Sequence, residues 1–468
     1  HLAAQHVWNK GQIRQTESGE EEPERQRGRR DGGDGHRDGR PRGDHHDANG
    51  QTRGDQATPV ITYGHNKDHR PDLKQLLCVL TVTADGAVPV AFRVLDGNTS
   101  DDPTHIPTWD ELVALVGRPD FLYVADSKLA NRPAMDHIDS HGGRFVTILP
   151  RTRKEDRQFR DRIATHPVEW TEAHRRPANR NGDPDQTFHT TPAPAGPSVE
   201  GYRIIWVRSS TKIDRDAETR RARIAKGIAA LDDLNQKLAS PRTRIKTKVA
   251  VQTAADAALK DSGAGRWVGY TITETATTKL KQEKRGRPGP KTRYRKIVTT
   301  HHRIVFTVNE TLVAHDAHSD GCFPLITNDT NLTDAEVLAA YRYQPNLERR
   351  NHILKDHQTV APVYPQSAHR IEAHLLCQFL ALLTGALIER HIRTAMVAKT
   401  LTDIPIYPEH RPCPAPSAQR ILQIFSGVAR HHLTDTAGNT IQTFQPDLTP
   451  QQHQILELLD IPTTTYTT

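Results

Sequence analysis

Phe121-Leu-Tyr-Val-Ala-Asp-Ser-Lys128 decides how this chain is read, because its apolar run, Phe121 to Ala125, ends on the carboxylate of Asp126. A run this short, bounded by polar residues, has the pattern of a buried strand, which puts Asp126 at a strand's carboxyl end. Upstream, Leu76-Leu-Cys-Val-Leu-Thr-Val-Thr83 and Val88-Pro-Val-Ala-Phe-Arg-Val-Leu95 read as two strands joined by the turn Ala84-Asp-Gly-Ala87, a β-hairpin. Asp96 to Asp101 is dense in turn formers, and Ile106 to Val116 reads as a helix. Downstream, Asn131 to Ser140 reads as a helix and Arg144 to Leu149 as a strand. Hairpin, strand, helix, strand is the order of a mixed α/β sheet flanked by helices.

A second carboxylate, Glu348, stands in Tyr341-Arg-Tyr-Gln-Pro-Asn-Leu-Glu-Arg-Arg-Asn-His-Ile-Leu-Lys355. Tyr341, Gln344, Glu348 and Lys355 follow at steps of three, four and seven, so they share one helical face. Pro345 predicts that the helix breaks or restarts beside it. That face offers one acid to a divalent metal, with a phenol and an ammonium able to hold neighbouring phosphates. On spacing alone a solvated, charged helix accounts for the pattern equally well.

Between the two carboxylates the character of the chain changes. Asp216 to Leu238 reads as a helix with Ile224, Ile228, Leu231, Leu234 and Leu238 in an apolar stripe. Val249 to Arg303 is poorer in apolar residues, and Arg303 to Val308 reads as a strand. We therefore expect an inserted α+β domain at 151–320, splitting the sheet domain into 58–150 and 321–400, with a helical tail at 401–468. Phe323 to Asn328 reads as a core strand, and Thr333 with Glu336 has the layout of a capping box. Ile371 to Val397 reads as a long apolar helix. Its most apolar part, Leu375 to Ile388, is short and contains Gln378, as a buried helix does rather than a membrane span. Ser417 to Val428 and a segment after Pro446 read as shorter helices.

The formal net charge of +7, with 26 His left neutral, points to a polyanionic partner such as nucleic acid, although a mildly basic soluble protein with no such partner accounts for it equally well. Four scattered cysteines (Cys78, Cys322, Cys377, Cys413) form no CxxC pair, which predicts neither a disulfide framework nor a zinc knuckle and is expected of a reducing cytoplasm. From Glu17 to Ala57 the only apolar side chains, Pro aside, are Ala48 and Ala57, so segment 1–57 is expected to be disordered, or to be an out-of-frame stretch. The chain begins with His, as a fragment or an unusual gene product does.

Tyr341-x2-Gln344-x3-Glu348-x6-Lys355 resembles the Y-x2-R-x3-E-x6-K signature of bacterial insertion-sequence transposases of the DDE type, with Gln344 where the family has Arg. Gly64-His-Asn-Lys-Asp-His-Arg-Pro-Asp-Leu-Lys-Gln75 is similar to that family's G-x-S-K-D-x-R-P-D-L-K-Q block, and Asp96-Gly-Asn-Thr-Ser-Asp101 to its G-N-x-x-D loop. Val124-Ala-Asp126 with Asn131, Phe323 to Asn328, and Arg370-Ile-Glu-Ala-His-Leu375 continue the resemblance in the same order, over roughly residues 60 to 400. It implies an RNase H-like domain that cuts transposon ends and joins the 3′-hydroxyl to target DNA, working as a dimer or higher multimer on paired ends in the bacterial cytoplasm. Family chemistry uses Mg²⁺ (or Mn²⁺), for which Asp126 and Glu348 would be ligands, while Tyr341, Gln344 and Lys355 would contact DNA. Gln344 makes a neutral contact where Arg makes a charged, bidentate one.

The family's first Asp, expected in an Asp-x-Thr context on an opening strand, has no match. Asp44, Asp47 and Asp55 lie in low-complexity sequence, and Asp68 and Asp72 belong to the Gly64 block. A frame lesion at the amino end would explain the loss, and it leaves a degenerate transposase that only binds DNA as the alternative; a stand-alone RNase H-like nuclease is a third. Arg285-Gly-Arg-Pro288 matches the core of an AT-hook, whose arginines enter a narrow A·T minor groove, although a basic loop that touches phosphates alone has the same sequence. His137 and His141 have the spacing of a zinc pair without a third ligand nearby, as surface histidines also do. There is no P-loop, dinucleotide fingerprint or G-x-S-x-G.

Overall fold

The computed structural model describes residues 3–9, 59–64, 72–178, 182–194, 196–357 and 368–467. The low-complexity segment 17–57, with Asp44, Asp47 and Asp55, lies outside them, as does residues 65–71 of the Gly64 block with Asp68. The chain forms two compact units, residues 1–145 with 340–468, and residues 146–339.

The first unit opens with β1 (Ala3–Asn9), β2 (Thr62–Tyr63), β3 (Lys74–Thr83) and β4 (Pro89–Asp96). There follow α1 (His105–Val116), β5 (Leu122–Ala125), α2 (Arg132–Ser140) and the first residues of β6 (Arg144–Ile148). β3 and β4 are the expected hairpin, paired from Leu76↔Asp96 to Val82↔Pro89. β1 is one of the elements that sequence patterning did not indicate. It pairs antiparallel with β3, Ala4↔Thr83 to Asn9↔Cys78, and parallel with β5, Ala3↔Leu122 to His6↔Ala125. The strand order is therefore β4-β3-β1-β5, a mixed sheet.

Two motif glycines have a steric role here. A Cβ on Gly97 would come within 1.8 Å of the Gln75 carbonyl, and one on Gly64 within 2.3 Å of the Gly97 carbonyl. The Gln75 amide also donates to the Gly97 carbonyl at 2.7 Å, so the chain entering β3 and the chain leaving β4 meet where only glycine fits.

In the second unit, the end of β6 leads to α3 (Lys154–Ile163), β7 (Thr171–Arg176), β8 (Gln186–Pro192), β9 (Arg203–Ser209), α4 (Ser210–Ala239) and α5 (Lys248–Ser262). Next come β10 (Val268–Gln282), β11 (Tyr294–Val308), α6 (Glu310–Ala317), β12 (Cys322–Thr327) and α7 (Asp334–Tyr341), whose last two residues belong to the first unit. β6, β12, β9, β8 and β7 form an antiparallel sheet in that order. The core strand Phe323 to Asn328 thus groups with the second unit rather than with 321–400, because β12 bonds along its length to β9. Trp206 of β9 stacks on Phe159 of α3 with ring centroids 3.6 Å apart. The stripe on α4 buries Leu231, Leu234 and Leu238 against Val251, Ala255 and Leu259 of α5. The expected strand at Arg303 to Val308 begins at Tyr294 and pairs with β10, a partner not visible in the pattern.

The first unit resumes with α8 (Gln344–His352), a π-helical turn at Ile353–His357, and α9 (Ala368–Ala398). It ends with α10 (Ala418–Phe425), the hairpin β13 (His431–Thr434) and β14 (Thr440–Phe444), then α11 (Pro450–Leu458) and α12 (Thr464–Thr467). The tail is thus not wholly helical. α9 is long and apolar enough to cross a membrane, and it is less buried than the buried helix expected from Leu375 to Ile388. Its Leu375, Leu382 and Ala386 are buried while Leu376, Leu380 and Leu387 are exposed.

Candidate active site

Asp126 leaves the end of β5 and enters a tight turn. The Lys128 N–H donates to its Oδ1 at 2.9 Å, and the Leu129 N–H to its carbonyl at 3.1 Å. Asn131 closes the turn: its side chain donates to the Lys128 carbonyl at 2.7 Å and accepts from the Ala134 N–H at 2.9 Å, capping α2. The spacing from Val124 through Asp126 to Asn131 therefore has a local structural reason independent of any ligand.

Beneath that strand end, Tyr123 is fully buried with its hydroxyl 3.2 Å from His105 Nδ1. Burial, and then the Asp126 charge, hold the Tyr123 phenol well above its ordinary range. Burial and then the Lys128 ammonium push His105 down to about 3, so its imidazole is neutral at physiological pH. His105 serves as a packing and hydrogen-bonding group here.

The capping box is present at the start of α7: the Thr333 N–H donates to Glu336 Oε2 at 2.8 Å, and the Glu336 N–H to Thr333 Oγ1 at 3.3 Å. α7 ends at Tyr341, and α8 restarts at Gln344 with Pro345 in its first turn, where a missing N–H costs least. Glu348 is exposed on α8, while Leu347 and Arg350 turn inward. Tyr341 is half-buried. Its phenol is pushed well up, by burial first and then by the negative charges of Asp126 and Glu348. Two carboxylates far apart in the chain thus act on one hydroxyl.

Lys355 lies in the π turn, which offsets it from the simple helical phase of Tyr341, Gln344 and Glu348. Its ammonium acts on Cys78 of β3, opposing the burial that pushes this thiol up to about 12. Asp126 and Glu348 thus both lie within electrostatic reach of the Tyr341 hydroxyl, and Lys355 within reach of Cys78 on β3. Arg285 and Arg287 belong to the second unit, in the loop joining β10 to β11.

What holds α8 was not apparent from sequence. Leu347 and Leu354 pack with Leu76, Leu80 and Val82 of β3 and with Ile371, Leu375 and Leu382 of α9. Arg350 donates to the carbonyls of Ala87 at 2.9 Å and Gly86 at 3.0 Å, the turn of the β3–β4 hairpin, where Ala87 has a φ of 52°. Its third partner is Glu389 of α9, at 2.9 Å and only 2% exposed. Glu389 also lies 3.3 Å from Arg393 and accepts from the Ala418 N–H at 3.0 Å. A carboxylate directly after an apolar helical run was the available signal for this latch.

His137 pairs with Asp110 at 2.8 Å and stacks near His141, ring centroids 4.3 Å apart. Among the described residues no group of three or more His, Cys, Asp or Glu could hold a metal ion. Two carboxylates still match Mg²⁺, which takes hard oxygen donors and is commonly held by one or two carboxylates, with phosphate oxygens and waters completing its shell. No protein-family model and no curated protein matches the chain.

Proposed function

We propose that this chain is a DDE-type DNA transposase with an RNase H-like catalytic domain, acting on double-stranded transposon ends and target DNA. The observation that carries the reading is the Tyr341 phenol standing in the field of both Asp126 and Glu348. The order β4-β3-β1-β5, with β1 antiparallel to β3 and parallel to β5, supports an RNase H-like sheet. In this reading Asp126 and Glu348 hold Mg²⁺ (or Mn²⁺). When bound, the ion supplies charge neutralisation at the scissile phosphate and a lowered pKa for an attacking water or 3′-hydroxyl. Tyr341, kept protonated by its surroundings, donates a hydrogen bond to a flanking phosphate, and Lys355 supplies a fixed positive charge beside it. Gln344 contributes a neutral amide contact. The protein would work as a dimer or higher multimer on paired ends in the bacterial cytoplasm.

The test is Mg²⁺-dependent nicking of duplex DNA carrying the inverted repeats that flank its coding sequence. Asp126→Asn and Glu348→Gln should each lower the rate by about a thousandfold or more. Nicking that survives either change removes that residue from the site. A second reading rests on β1: Ala3-Ala-Gln-His-Val-Trp-Asn9 contains no carboxylate, whereas the family it resembles carries its first Asp on the opening strand. The chain is then a remnant that binds DNA without cutting it, the outcome if Mg²⁺ and Mn²⁺ both give no nicking while DNA is retained.

A further inference from the structure

β10 and β11 pair over fifteen residues each, from Val268↔Val308 to Gln282↔Tyr294, about 50 Å of two-stranded ribbon at 3.4 Å per residue. Only its base is packed, where Val268, Tyr270, Ile272, Ile304 and Phe306 meet α4 and α5. Beyond Thr273↔Arg303 nearly every residue of both strands is exposed. A two-stranded ribbon gains little stability of its own in water, so this outer length has no structural return in the unit that carries it.

Its charge is the second observation. Between Lys279 and Lys296 there are nine Lys or Arg against a single Glu283, a net +8. The whole chain is +7, so all other residues together carry −1. The basic character of this protein therefore resides in the outer half of one ribbon. No ion pair engages those nine cations among the described residues; nearer the base, Glu274 of β10 meets Lys248 of α5 at 3.8 Å.

The tip is closed by its own hydrogen bonds. Gln282 donates to the Gly286 carbonyl at 3.1 Å, and the Glu283 N–H to the Arg293 carbonyl at 3.0 Å. The Gly289 N–H donates to Thr292 Oγ1 at 2.7 Å. Gly286, at φ 152°, occupies a conformation that favours glycine, and a Cβ there would meet nothing within 4 Å. Arg285 and Arg287 thus flank a backbone stripped of side-chain bulk, able to approach a surface closely.

We propose that the β10–β11 ribbon is a DNA-holding arm whose tip seats Arg285 and Arg287 in the minor groove of A·T-rich duplex. A narrow A·T minor groove concentrates negative potential and lacks the guanine amino group, so a glycine-spaced arginine pair suits it, while Lys279, Lys281, Lys291, Arg293, Arg295 and Lys296 meet the adjoining phosphates. The wide, shallow minor groove of duplex RNA offers no such focus. The inference is independent of the cleavage reading, because holding DNA needs no divalent ion.

The test is fluorescence anisotropy of the full chain with A·T-tract and G·C duplexes of equal length, in EDTA, across salt concentrations. The unaltered chain should favour the A·T duplex about tenfold or more, with log affinity falling against log salt at a slope of several units. Arg285→Ala with Arg287→Ala should remove that preference and lower A·T affinity about tenfold, with thermal unfolding unchanged. Arg285→Lys with Arg287→Lys should keep the salt slope and lose most of the preference. Equal affinity of the unaltered chain for both duplexes, unchanged binding by the Ala pair, or tighter binding to an RNA duplex of matched sequence would each overturn the proposal.

Discussion

α8 and the outer β10–β11 ribbon are both crowded with basic residues, yet they use charge in opposite ways. On α8, Arg350 is buried and its guanidinium is spent on two hairpin carbonyls and on Glu389. On the ribbon nine cations stand in water with no acid placed to meet them among the described residues. Charge that a fold has already neutralised is architecture, and charge left unmatched on an element with no core to serve points outward to a partner.

The latch is where the contrast breaks most visibly. Glu389→Ala leaves Arg350 buried without its acid and should cost about 3–5 kcal/mol, read as a lower urea midpoint. Under the proposed transposase reading, cutting should fall with it, since the helix bearing Glu348 loses its anchor. If stability is unchanged, the buried pair does not hold α8. A milder effect is expected at Glu155 in the second unit. The Arg153 guanidinium, at 2.8 Å, lowers this carboxyl to about 2 despite opposing burial, and the Val199 N–H assists at 3.1 Å. Because the folded value lies below the unfolded one, this stabilisation is complete above about pH 4.5 and drains away as the pH falls toward about 2. Glu155→Gln should therefore flatten the acid limb of a stability-against-pH curve by on the order of 2–3 kcal/mol, and an unaltered limb would reject the linkage.

Smaller effects are expected at residues that make no buried ion pair. Gln344→Arg exchanges a neutral contact for a charged one and should tighten DNA binding up to about tenfold in a filter-binding titration. A neutral or adverse result would mean that Gln344 faces no phosphate. Glu348→Ala and the Arg285/Arg287→Ala pair remove exposed charges and should move the unfolding midpoint by less than about 0.5 kcal/mol equivalent. A larger loss at Glu348 would make it structural.

Much of the first unit was legible from local pattern. β3, β4, β5, α1 and α2 fall within a residue or two of their expected limits, because alternation and caps are encoded by neighbours in sequence. The break at Pro345 and the capping box at Thr333 were readable for the same reason. β1 was not: Ala3 to Asn9 has no strong strand pattern, and it is a strand through its bonds to β3 and β5. Nor was β10, whose threonine-rich exposed stretch shows no buried face and is ordered by its partner β11.

Neighbouring residues alone dictate where local structure starts and stops, and they mark the carboxylate after a strand, the acid on a basic helix and the basic tetrapeptide Arg285 to Pro288. Folding brings the Asp126 and Glu348 charges to bear on one phenol, pairs Glu389 with Arg350, and leaves the excess positive charge on an exposed ribbon. Local pattern is set by contacts between near neighbours in sequence. Pairing across the chain depends on which hydrogen-bonding and apolar groups remain to be satisfied once every element is in place.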